Sequence, residues 1–244
     1  MSTGPSMVII PSYNEAGNIT PVLQSIRDAH PGLERVVVDD GSRDETAAVA
    51  LAAGATVLRH PFNLGYGAAL QTGYKYALLR RAELVAQMDA DGQHDPEDLT
   101  TLLDPIRSGT ADLVIGSRFL EKTGYRMGLI RTIGRRLFQG LARAFGVRIL
   151  DPTSGFQAMN RRVLEEYACD FFPSDFPDVD VLVVAHRRGI RMTERTVRMR
   201  KGVRASTLHG GWRDFYYVYK MLLSIWSEVG RSRPALAKTA REKP

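Results

Sequence analysis

The sequence predicts an α/β fold with a mostly parallel sheet flanked by helices. Three observations carry this prediction: short apolar runs rich in Val, Ile and Leu, amphipathic stretches between them, and a polar, turn-forming segment after each run. Strand–helix alternation repeated along the first half implies right-handed crossovers between parallel strands. The 244 residues are enough for one large domain of this kind.

The elements of the first half follow from local signals. Ser42 and Glu45 form a capping box that predicts the start of the second helix, and Gly54 predicts its end. The predicted strands are 7–11, 35–39, 56–60, 84–89 and 112–116, and the other predicted helices begin at Thr20-Pro21, span 65–82 and run from Pro96 to about Gly109.

The second half is less regular. Apolar side chains at every fourth position predict a helix over 131–145. The remaining predicted elements are helices at 161–168 and 178–188, a strand at 191–199, a terminal amphipathic helix at 211–229 and a polar tail at 231–244. We expect a single domain over residues 1–230.

Composition excludes several classes of protein. With 44% hydrophobic and 25% charged residues, the chain is neither disordered nor fibrous. No apolar run approaches the roughly 20 residues of a membrane-spanning helix, and the N-terminus lacks the features of a secretory signal. The single cysteine, Cys169, can form no internal disulfide, which fits a reducing cytoplasm. We therefore expect a cytoplasmic protein.

The net charge of +6 is unevenly distributed. Residues 1–117 carry 8 Lys or Arg against 15 Asp or Glu, whereas residues 118–213 carry 19 against 9. This division suggests that carboxylates hold a cation while basic side chains hold an anion. Arg118, Arg131 and the run 198–204 could, with a metal, neutralise a departing diphosphate. Nucleic acid is not an expected partner, because the acidic cleft would repel it.

Asp89 and Asp91 follow the fourth predicted strand. Residues two apart in an extended chain point to the same side, and two carboxylates there repel each other unless a cation lies between them. Mg²⁺ or Mn²⁺ is the expected cation, because both prefer oxygen ligands and keep positions open for substrate phosphates. Gln93 could add an amide oxygen and His94 an imidazole, while Asp95 is typical of a helix N-cap.

Asp39 and Asp40 end the second strand, where an acid can accept hydrogen bonds from a ribose or a base; a structural turn is the alternative. The turn after the first strand lacks the G-x-G-x-x-G pattern of nicotinamide enzymes, and no P-loop is present. Because ligands of an open parallel sheet bind outside the carboxyl ends of its strands, we expect one cleft at that edge.

Several motifs together resemble those of the family 2 inverting glycosyltransferases of the GT-A fold. They are Val-Ile-Ile-Pro-Ser-Tyr-Asn-Glu at 8–15, Val-Val-Asp-Asp-Gly-Ser at 37–42, Asn-Leu-Gly at 63–65, Asp-Ala-Asp-Gly-Gln-His at 89–94 and Gly-Ser-Arg at 116–118. Asp-Pro-Thr-Ser-Gly-Phe-Gln at 151–157 narrows the resemblance to the branch of dolichol-phosphate mannose synthase and bacterial polyprenyl-phosphate glycosyltransferases. The resemblance runs from about residue 7 to residue 226.

This resemblance implies a catalytic domain whose residues 1–117 bind nucleotide and metal and whose residues 118–210 face the acceptor. Mg²⁺ or Mn²⁺ would be held by Asp89, Asp91 and Gln93, and Arg118 and Arg131 would contact the diphosphate or the acceptor phosphate. The implied nucleotide-binding residues are Pro11, Tyr13, Glu15, Asp39, Asp40, Asp89 and Ala90. The implied donor and acceptor region comprises Ser154, Gly155, Phe156 and Gln157, with Lys201 or Arg204 on a loop that closes over the diphosphate.

Two positions depart from the family pattern or stay open. Members of the branch often carry the sequence G-x-S-K-L in this loop, whereas residues 204–208 here are Arg-Ala-Ser-Thr-Leu. Either Lys201 or Arg204 could therefore supply the positive charge of the loop. Many family 2 enzymes place a general-base Asp near the position of Asp178 or Asp180, although these acids could equally cap the following helix.

The implied reaction is transfer of a hexose, mannose or glucose, from a GDP- or UDP-sugar to a polyprenyl phosphate with inversion. A phosphate monoester is largely a dianion at pH 7 and can attack without a base, whereas a hydroxyl acceptor needs one. The catalytic candidates are Asp91, Arg118, Arg131 and, as a base, Asp178. The alternatives are transfer to a saccharide or protein hydroxyl in cell-envelope polysaccharide synthesis, and a non-catalytic nucleotide-sugar-binding subunit.

The helix at 211–229 bears on the membrane question. Its aromatic side chains recur at spacings of three and four, with Arg213 and Lys220 between them, a pattern that favours a bilayer interface. Docking on the protein core is the alternative. We expect salt-sensitive, peripheral association with the cytoplasmic face of a membrane, or with a membrane partner protein.

Overall fold

The structure is a computed structural model that describes residues 4–120, 129–169, 172–174 and 177–200, with only the backbone described for 129–135. Its strands are β1 (Ser6–Ser12), β2 (Glu34–Asp39), β3 (Thr56–Arg59), β4 (Leu84–Gln87), β5 (Leu113–Ser117), β6 (Gln157–Asn160) and β7 (Met192–Thr196). Its α-helices are α1 (Ile19–Ala29), α2 (Thr46–Ala52), α3 (Tyr66–Leu79), α4 (Leu99–Arg107), α5 (Leu129–Ala144), α6 (Arg161–Tyr167) and α7 (Val179–Arg187), and a 3₁₀ turn at Pro96–Asp98 precedes α4.

The seven strands form one sheet in the order β3-β2-β1-β4-β6-β5-β7. β6 runs antiparallel to both of its neighbours, and every other pairing is parallel. The predicted mostly parallel sheet is therefore confirmed. The carboxyl ends of β1, β2 and β4 meet at one edge, as the parallel register requires.

Helices cover both faces of the sheet and enclose two apolar layers. Along β1, Met7 and Ile9 face the layer formed with α3, α6 and α7, whereas Val8 and Ile10 face the layer formed with α1 and α4. This alternation is the two-residue period of a strand that is buried on both faces. Among the helices that the structure describes, none has the length and apolarity needed to cross a bilayer.

Four details differ from the expected elements. β6 was not expected, because its four residues carry no apolar run; its pairing with β4 and β5 defines it. The fourth strand ends at Gln87 and β7 ends at Thr196, both earlier than expected. The first helix begins at Ile19, one residue before the expected start.

The predicted capping box is wrong. Helix α2 begins at Thr46 after Glu45, which makes no side-chain cap, and Ser42 Oγ instead accepts a hydrogen bond from the Asn14 amide at 2.9 Å. The loop between β2 and α2 is therefore tied to the loop after β1. Two other expected caps are confirmed: Asp95 accepts from the Glu97 amide at 3.1 Å, and Gly54 follows α2 with a φ of +80°.

Candidate active site

The acidic loop, residues 88–95, follows β4 and carries the expected metal ligands. The Asp89 side chain is one-third exposed, and its Oδ1 accepts a hydrogen bond from the Tyr66 hydroxyl at 2.8 Å. Asp91 accepts two hydrogen bonds from Gln93, from the backbone amide at 2.9 Å and from Nε2 at 2.5 Å. Gly92 turns the loop with a φ of +74°. The loop thus presents two carboxylates and one side-chain amide.

His94 supports this loop from beneath. Its ring stacks on Phe156 with centroids 4.7 Å apart, and its Nδ1 accepts a hydrogen bond from the Asp89 amide at 3.3 Å. Burial lowers the pKa of His94, so the ring is neutral at pH 7 and its proton lies on Nε2, 3.9 Å from Asp89 Oδ2. Because Nδ1 accepts from the Asp89 amide and Nε2 carries the proton, His94 offers no lone pair to a metal.

The donor set fits a hard divalent cation. Carboxylate and amide oxygens are the ligands that Mg²⁺ and Mn²⁺ prefer. No Arg or Lys among the described residues forms an ion pair with Asp89 or Asp91, so their negative charge lacks a protein counter-ion there. The same part of the chain holds no group of three His, Cys, Asp or Glu side chains placed to bind a metal. Gln93, with water or oxygen atoms of a substrate, would therefore complete the coordination of a cation here.

Arg118 follows β5 and is held by Asp151. Its Nε and Nη2 each donate to a different oxygen of Asp151 at 2.7 Å, and its backbone amide donates to the same carboxylate at 3.1 Å. Asp151 is fully buried, whereas the Arg118 side chain is 19% exposed. The pair therefore fixes the direction of the guanidinium.

Glu194 of β7 in turn supports Asp151. Its two carboxylate oxygens accept hydrogen bonds from the amides of Leu150 and Asp151 at 2.7 and 2.9 Å. Burial raises the pKa of Glu194, and the two amide hydrogen bonds oppose that rise. Two successive contacts, from Glu194 to the Asp151 amide and from the Asp151 carboxylate to Arg118, thus connect β7 to the guanidinium.

Asp178 directly precedes α7, and the charges of Arg118 and Asp89 both affect its pKa. Burial, followed by the neighbouring carboxylate of Asp180, raises its pKa to about 8, while Arg118 acts in the opposite direction and Asp89 adds a smaller rise. Asp178 makes no side-chain cap on α7, whereas Asp180 accepts from the backbone amides of Asp178 and Val181. Asp178 therefore lies within electrostatic range of both Arg118 and Asp89.

The predicted nucleoside residues lie at the ends of β1 and β2. Asp39 is fully buried; its Oδ1 accepts from the Ser42 amide at 3.0 Å, and its Oδ2 lies 3.1 Å from Arg59 Nε. Pro11 lies in β1, the Tyr13 side chain is 42% exposed at the rim, and Glu15 accepts from Asn18 Nδ2 at 2.7 Å.

Asp40 has a structural role beside any contact with a nucleotide. It accepts from the amides of Leu64 and Gly65 at 2.8 and 2.9 Å, and it pairs with His60 Nδ1 at 2.7 Å. His60 Nε2 in turn lies 2.9 Å from Thr72 Oγ1. This network fixes the loop that leads into α3.

Gly155, in the segment that precedes β6, brings the predicted donor and acceptor region next to Asp89. A Cβ built on Gly155 would lie 2.9 Å from both Asp89 Oδ2 and the Tyr66 hydroxyl, so any larger residue there would displace one of these two groups. Ser154 is buried, and its carbonyl accepts from Gln157 Nε2 at 2.9 Å. Ala90 is buried in the acidic loop.

Three predicted residues fall where no contact can be described. Arg131 lies on α5, but its side chain is outside the described part of the structure, as are Lys201 and Arg204. The helix at 211–229 and the tail at 231–244 also lie outside it. The chain does reach Arg200 beside the acidic loop, where the Arg200 amide donates to the Gln93 carbonyl at 2.7 Å.

Sequence reasoning missed Tyr66, Asp151 and Glu194 as site residues. Asp151 opens the 151–157 motif and could have been found there. Tyr66 stands between two glycines that mark a tight helix start, a weaker signal. Glu194 carries no local signal, because only the pairing of β7 with β5 brings it near residue 151.

The chain is similar in sequence to known glycosyltransferases. A model of the family described as Glycosyl transferase family 2 matches residues 7–168. The polyprenol monophosphomannose synthase of Mycolicibacterium smegmatis is 38% identical over 169 residues, which cover 66% of this chain and 63% of that protein. The undecaprenyl-phosphate mannosyltransferase of Micrococcus luteus is 32% identical over 207 residues, which cover 81% of this chain and 79% of that protein.

A solved structure supports the fold alone. Glucosyl-3-phosphoglycerate synthase from Mycobacterium tuberculosis, crystallised with Mn²⁺ and UDP-glucose, matches with a TM-score of 0.71 at 23% identity, over 92% of this chain and 80% of that chain. The predicted GT-A architecture is thereby confirmed.

Proposed function

Since the chain belongs to glycosyl transferase family 2, we propose that it transfers a hexose, mannose or glucose, from a GDP- or UDP-sugar to a polyprenyl phosphate with inversion. The observation that carries the proposal is the acidic loop at the end of β4, with Arg118 held nearby by Asp151. The names of the two mannosyltransferase relatives support the polyprenyl phosphate acceptor.

Asp89, Asp91 and Gln93 would hold Mg²⁺ or Mn²⁺. When bound, the ion supplies positive charge beside the diphosphate of the donor. The lack of a described Arg or Lys partner for either carboxylate supports this assignment. The Mn²⁺ in the M. tuberculosis structure belongs to that protein and is consistent with the same use here.

The lipid phosphate needs no general base. One of its oxygens forms a bond to the anomeric carbon as the bond from that carbon to the diphosphate oxygen breaks, and the electron pair leaves with the nucleoside diphosphate. Arg118 and Arg131 would stabilise the phosphate charges, because fixed cations near developing negative charge lower the barrier. Lys201 or Arg204 would close over the diphosphate.

The nucleoside would lie between Tyr13 and Asp39, with Pro11 and Glu15 beside it. Tyr13 is partly exposed at the rim, as a stacking partner must be. Asp39 is fully buried, and its Oδ2 lies 3.1 Å from Arg59 Nε but accepts no hydrogen bond among the described residues, so a base or ribose could reach this oxygen only if the surrounding side chains move.

One observation favours a second acceptor class. A saccharide or protein hydroxyl acceptor would need a general base, and the pKa of Asp178, about 8, leaves an ionised fraction near neutral pH that could act as one. Peripheral association with the cytoplasmic face of a membrane, through residues 211–229, is part of the lipid-acceptor proposal.

A transfer assay tests the proposal. The protein is incubated with Mn²⁺, a short-chain polyprenyl phosphate and a panel of labelled GDP- and UDP-hexoses, and label is counted in the organic phase. We expect label from one donor, lost with EDTA and in Asp91→Asn, and retained in Asp104→Asn, a control at an exposed position of α4. Release of nucleoside diphosphate without organic label would contradict the lipid acceptor.

A further inference from the structure

Within the part of the chain that the structure describes, Tyr66 is the residue whose hydroxyl donates a hydrogen bond to the Asp89 carboxylate. It donates to Asp89 Oδ1 at 2.8 Å from the first turn of α3. Gly155 packs against this same contact, because a Cβ built there would lie 2.9 Å from both Asp89 Oδ2 and the Tyr66 hydroxyl. The Asp89 carboxylate is therefore held by a hydroxyl donor and packed closely by the Gly155 backbone.

A chain of hydrogen bonds extends behind Tyr66 into the core. The hydroxyl of the fully buried Tyr74 donates to Gln87 Oε1, and Gln87 Nε2 lies 3.4 Å from the Tyr66 hydroxyl. Each group in the chain donates toward Asp89. Hydrogen bonds aligned in one direction polarise one another, and the last donor in this chain reaches the carboxylate.

The start of α3 is itself held in place, which fixes Tyr66. Gly65 precedes the helix with a φ of +105°, and its amide donates to Asp40. Gly67 packs so closely on the 172–174 segment that a Cβ would lie 2.0 Å from the Pro173 carbonyl oxygen. The backbone of Tyr66 therefore has little freedom to withdraw its hydroxyl from Asp89.

We propose that Tyr66 is a positioning residue for the metal-binding carboxylate of Asp89, a role that rests on the metal site of the proposed function. The hydroxyl occupies one lone pair of Oδ1 and would leave the remaining lone pairs of the carboxylate available to a cation. Loss of such a supporting hydrogen bond typically weakens metal binding by roughly 10- to 100-fold. This role acts through Asp89 and requires no contact between Tyr66 and the cation.

The test compares Tyr66→Phe with Tyr76→Phe. Tyr76 lies on the same helix, and its hydroxyl also donates to a carboxylate, Glu34 Oε1 at 3.1 Å, but Glu34 begins β2 at the opposite edge of the sheet. Mn²⁺ alone is titrated into each full-length protein, and free Mn²⁺ is measured by its electron paramagnetic resonance signal. Thermal unfolding without metal is recorded in parallel.

We expect Tyr66→Phe to weaken Mn²⁺ binding by about 10-fold or more, and Tyr76→Phe to bind as the wild type does. Equal Mn²⁺ affinities in wild type and Tyr66→Phe, or equal weakening in both variants, would overturn the proposal. A purely structural role would lower the unfolding midpoint of Tyr66→Phe and leave the Mn²⁺ affinity of the folded protein unchanged, which also overturns it.

Failure of the proposed function gives a different result. Transfer that persists in EDTA, together with no Mn²⁺ binding by the wild type, would remove the metal site and this inference with it. Normal metal-dependent transfer by the wild type with unweakened Mn²⁺ binding in Tyr66→Phe would remove this inference alone.

Discussion

The guanidinium of Arg118 grips the buried carboxylate of Asp151 through two hydrogen bonds of 2.7 Å. The chain contains a second pair of similar form, in which Arg191 donates twice to the buried Asp112 at 3.0 and 2.8 Å. The first pair lies at the carboxyl end of β5 and the second at its amino end. Substitutions in the two pairs can therefore distinguish an effect on the site, expected for Arg118–Asp151, from an effect on stability alone, expected for Arg191–Asp112.

Asp151→Asn should reduce transfer through Arg118. An amide cannot accept both guanidinium hydrogen bonds, so Arg118 loses its fixed direction, and we expect kcat to fall by roughly 10- to 100-fold. Asp112→Asn should leave kcat unchanged, because its pair lies at the far edge of the sheet. Steady-state kinetics on both variants checks this. Equal losses in kcat would contradict the role given to Asp151.

Asp112 should stabilise the fold at neutral pH. Its hydrogen bonds with Arg191 lower its pKa to about 2, from an ordinary value of 3.8. A lowered acid pKa contributes stability that is present above about pH 4 and is lost as the pH falls through about 2. Because Arg191 is exposed, we expect Asp112→Asn to cost about 1–2 kcal/mol at pH 7.

Urea unfolding of wild type and Asp112→Asn from pH 7 to pH 3 measures this term. The difference between the two proteins should shrink toward the acid end of that range. A difference that stays constant with pH would contradict the ion-pair origin of the stability.

Asp178 should make the fold less stable as the pH rises. With a pKa raised to about 8, it stays protonated in the folded protein while the unfolded chain ionises near pH 4, so stability falls between about pH 4 and pH 8. Asp178→Asn removes this loss. Without metal, we expect the variant to lose less stability than the wild type between pH 5 and pH 8, as measured by urea unfolding. Parallel pH profiles would count against it.

The same variant distinguishes the two acceptor classes. With a polyprenyl phosphate acceptor, Asp178→Asn should keep transfer within about fivefold, because a phosphate dianion needs no base. With a hydroxyl acceptor, loss of a general base costs roughly 100- to 10,000-fold. Initial rates at saturating donor decide between these outcomes.

Gly155→Ala should damage the acidic loop. The added Cβ would meet Asp89 Oδ2 and the Tyr66 hydroxyl at 2.9 Å, closer than real contacts of this kind allow. We expect weaker Mn²⁺ binding and at least 10-fold slower transfer. Gly32→Ala is the control, because nothing lies within 4 Å of a Cβ there. Normal metal affinity in Gly155→Ala would show that Asp89 can shift without cost.

Much of the fold could be predicted because buried parallel strands have a strong signal. The predicted strands at 7–11, 35–39 and 112–116 match β1, β2 and β5 closely, since each is an apolar run that ends in polar residues. β6 could not be predicted, because Gln157 and Asn160 flank only two apolar residues. The capping box at Ser42 was wrongly predicted because the Ser42 hydroxyl accepts a hydrogen bond from the Asn14 amide in the loop after β1, and not from an amide in the first turn of α2.

The site could be predicted where residues with metal-binding side chains directly follow a strand that the sequence also predicts. Asp89 and Asp91 were found from their spacing after a buried strand. Tyr66 and Glu194 act through contacts made by α3 and β7, which are distant in sequence from the groups they hold. Such supporting residues need the tertiary structure, because no local pattern relates a helix start to a carboxylate more than twenty residues away.

The most direct test of the central claim compares two acceptors that differ only in the phosphate. Wild-type protein with Mn²⁺ and the preferred nucleotide-sugar is given a short polyprenyl phosphate or the corresponding polyprenol, and the lipid products are weighed by mass spectrometry. We expect a hexosyl polyprenyl phosphate from the polyprenyl phosphate and no product from the polyprenol. Glycosylated polyprenol, or a hexosylated saccharide with no product on the lipid phosphate, would contradict it.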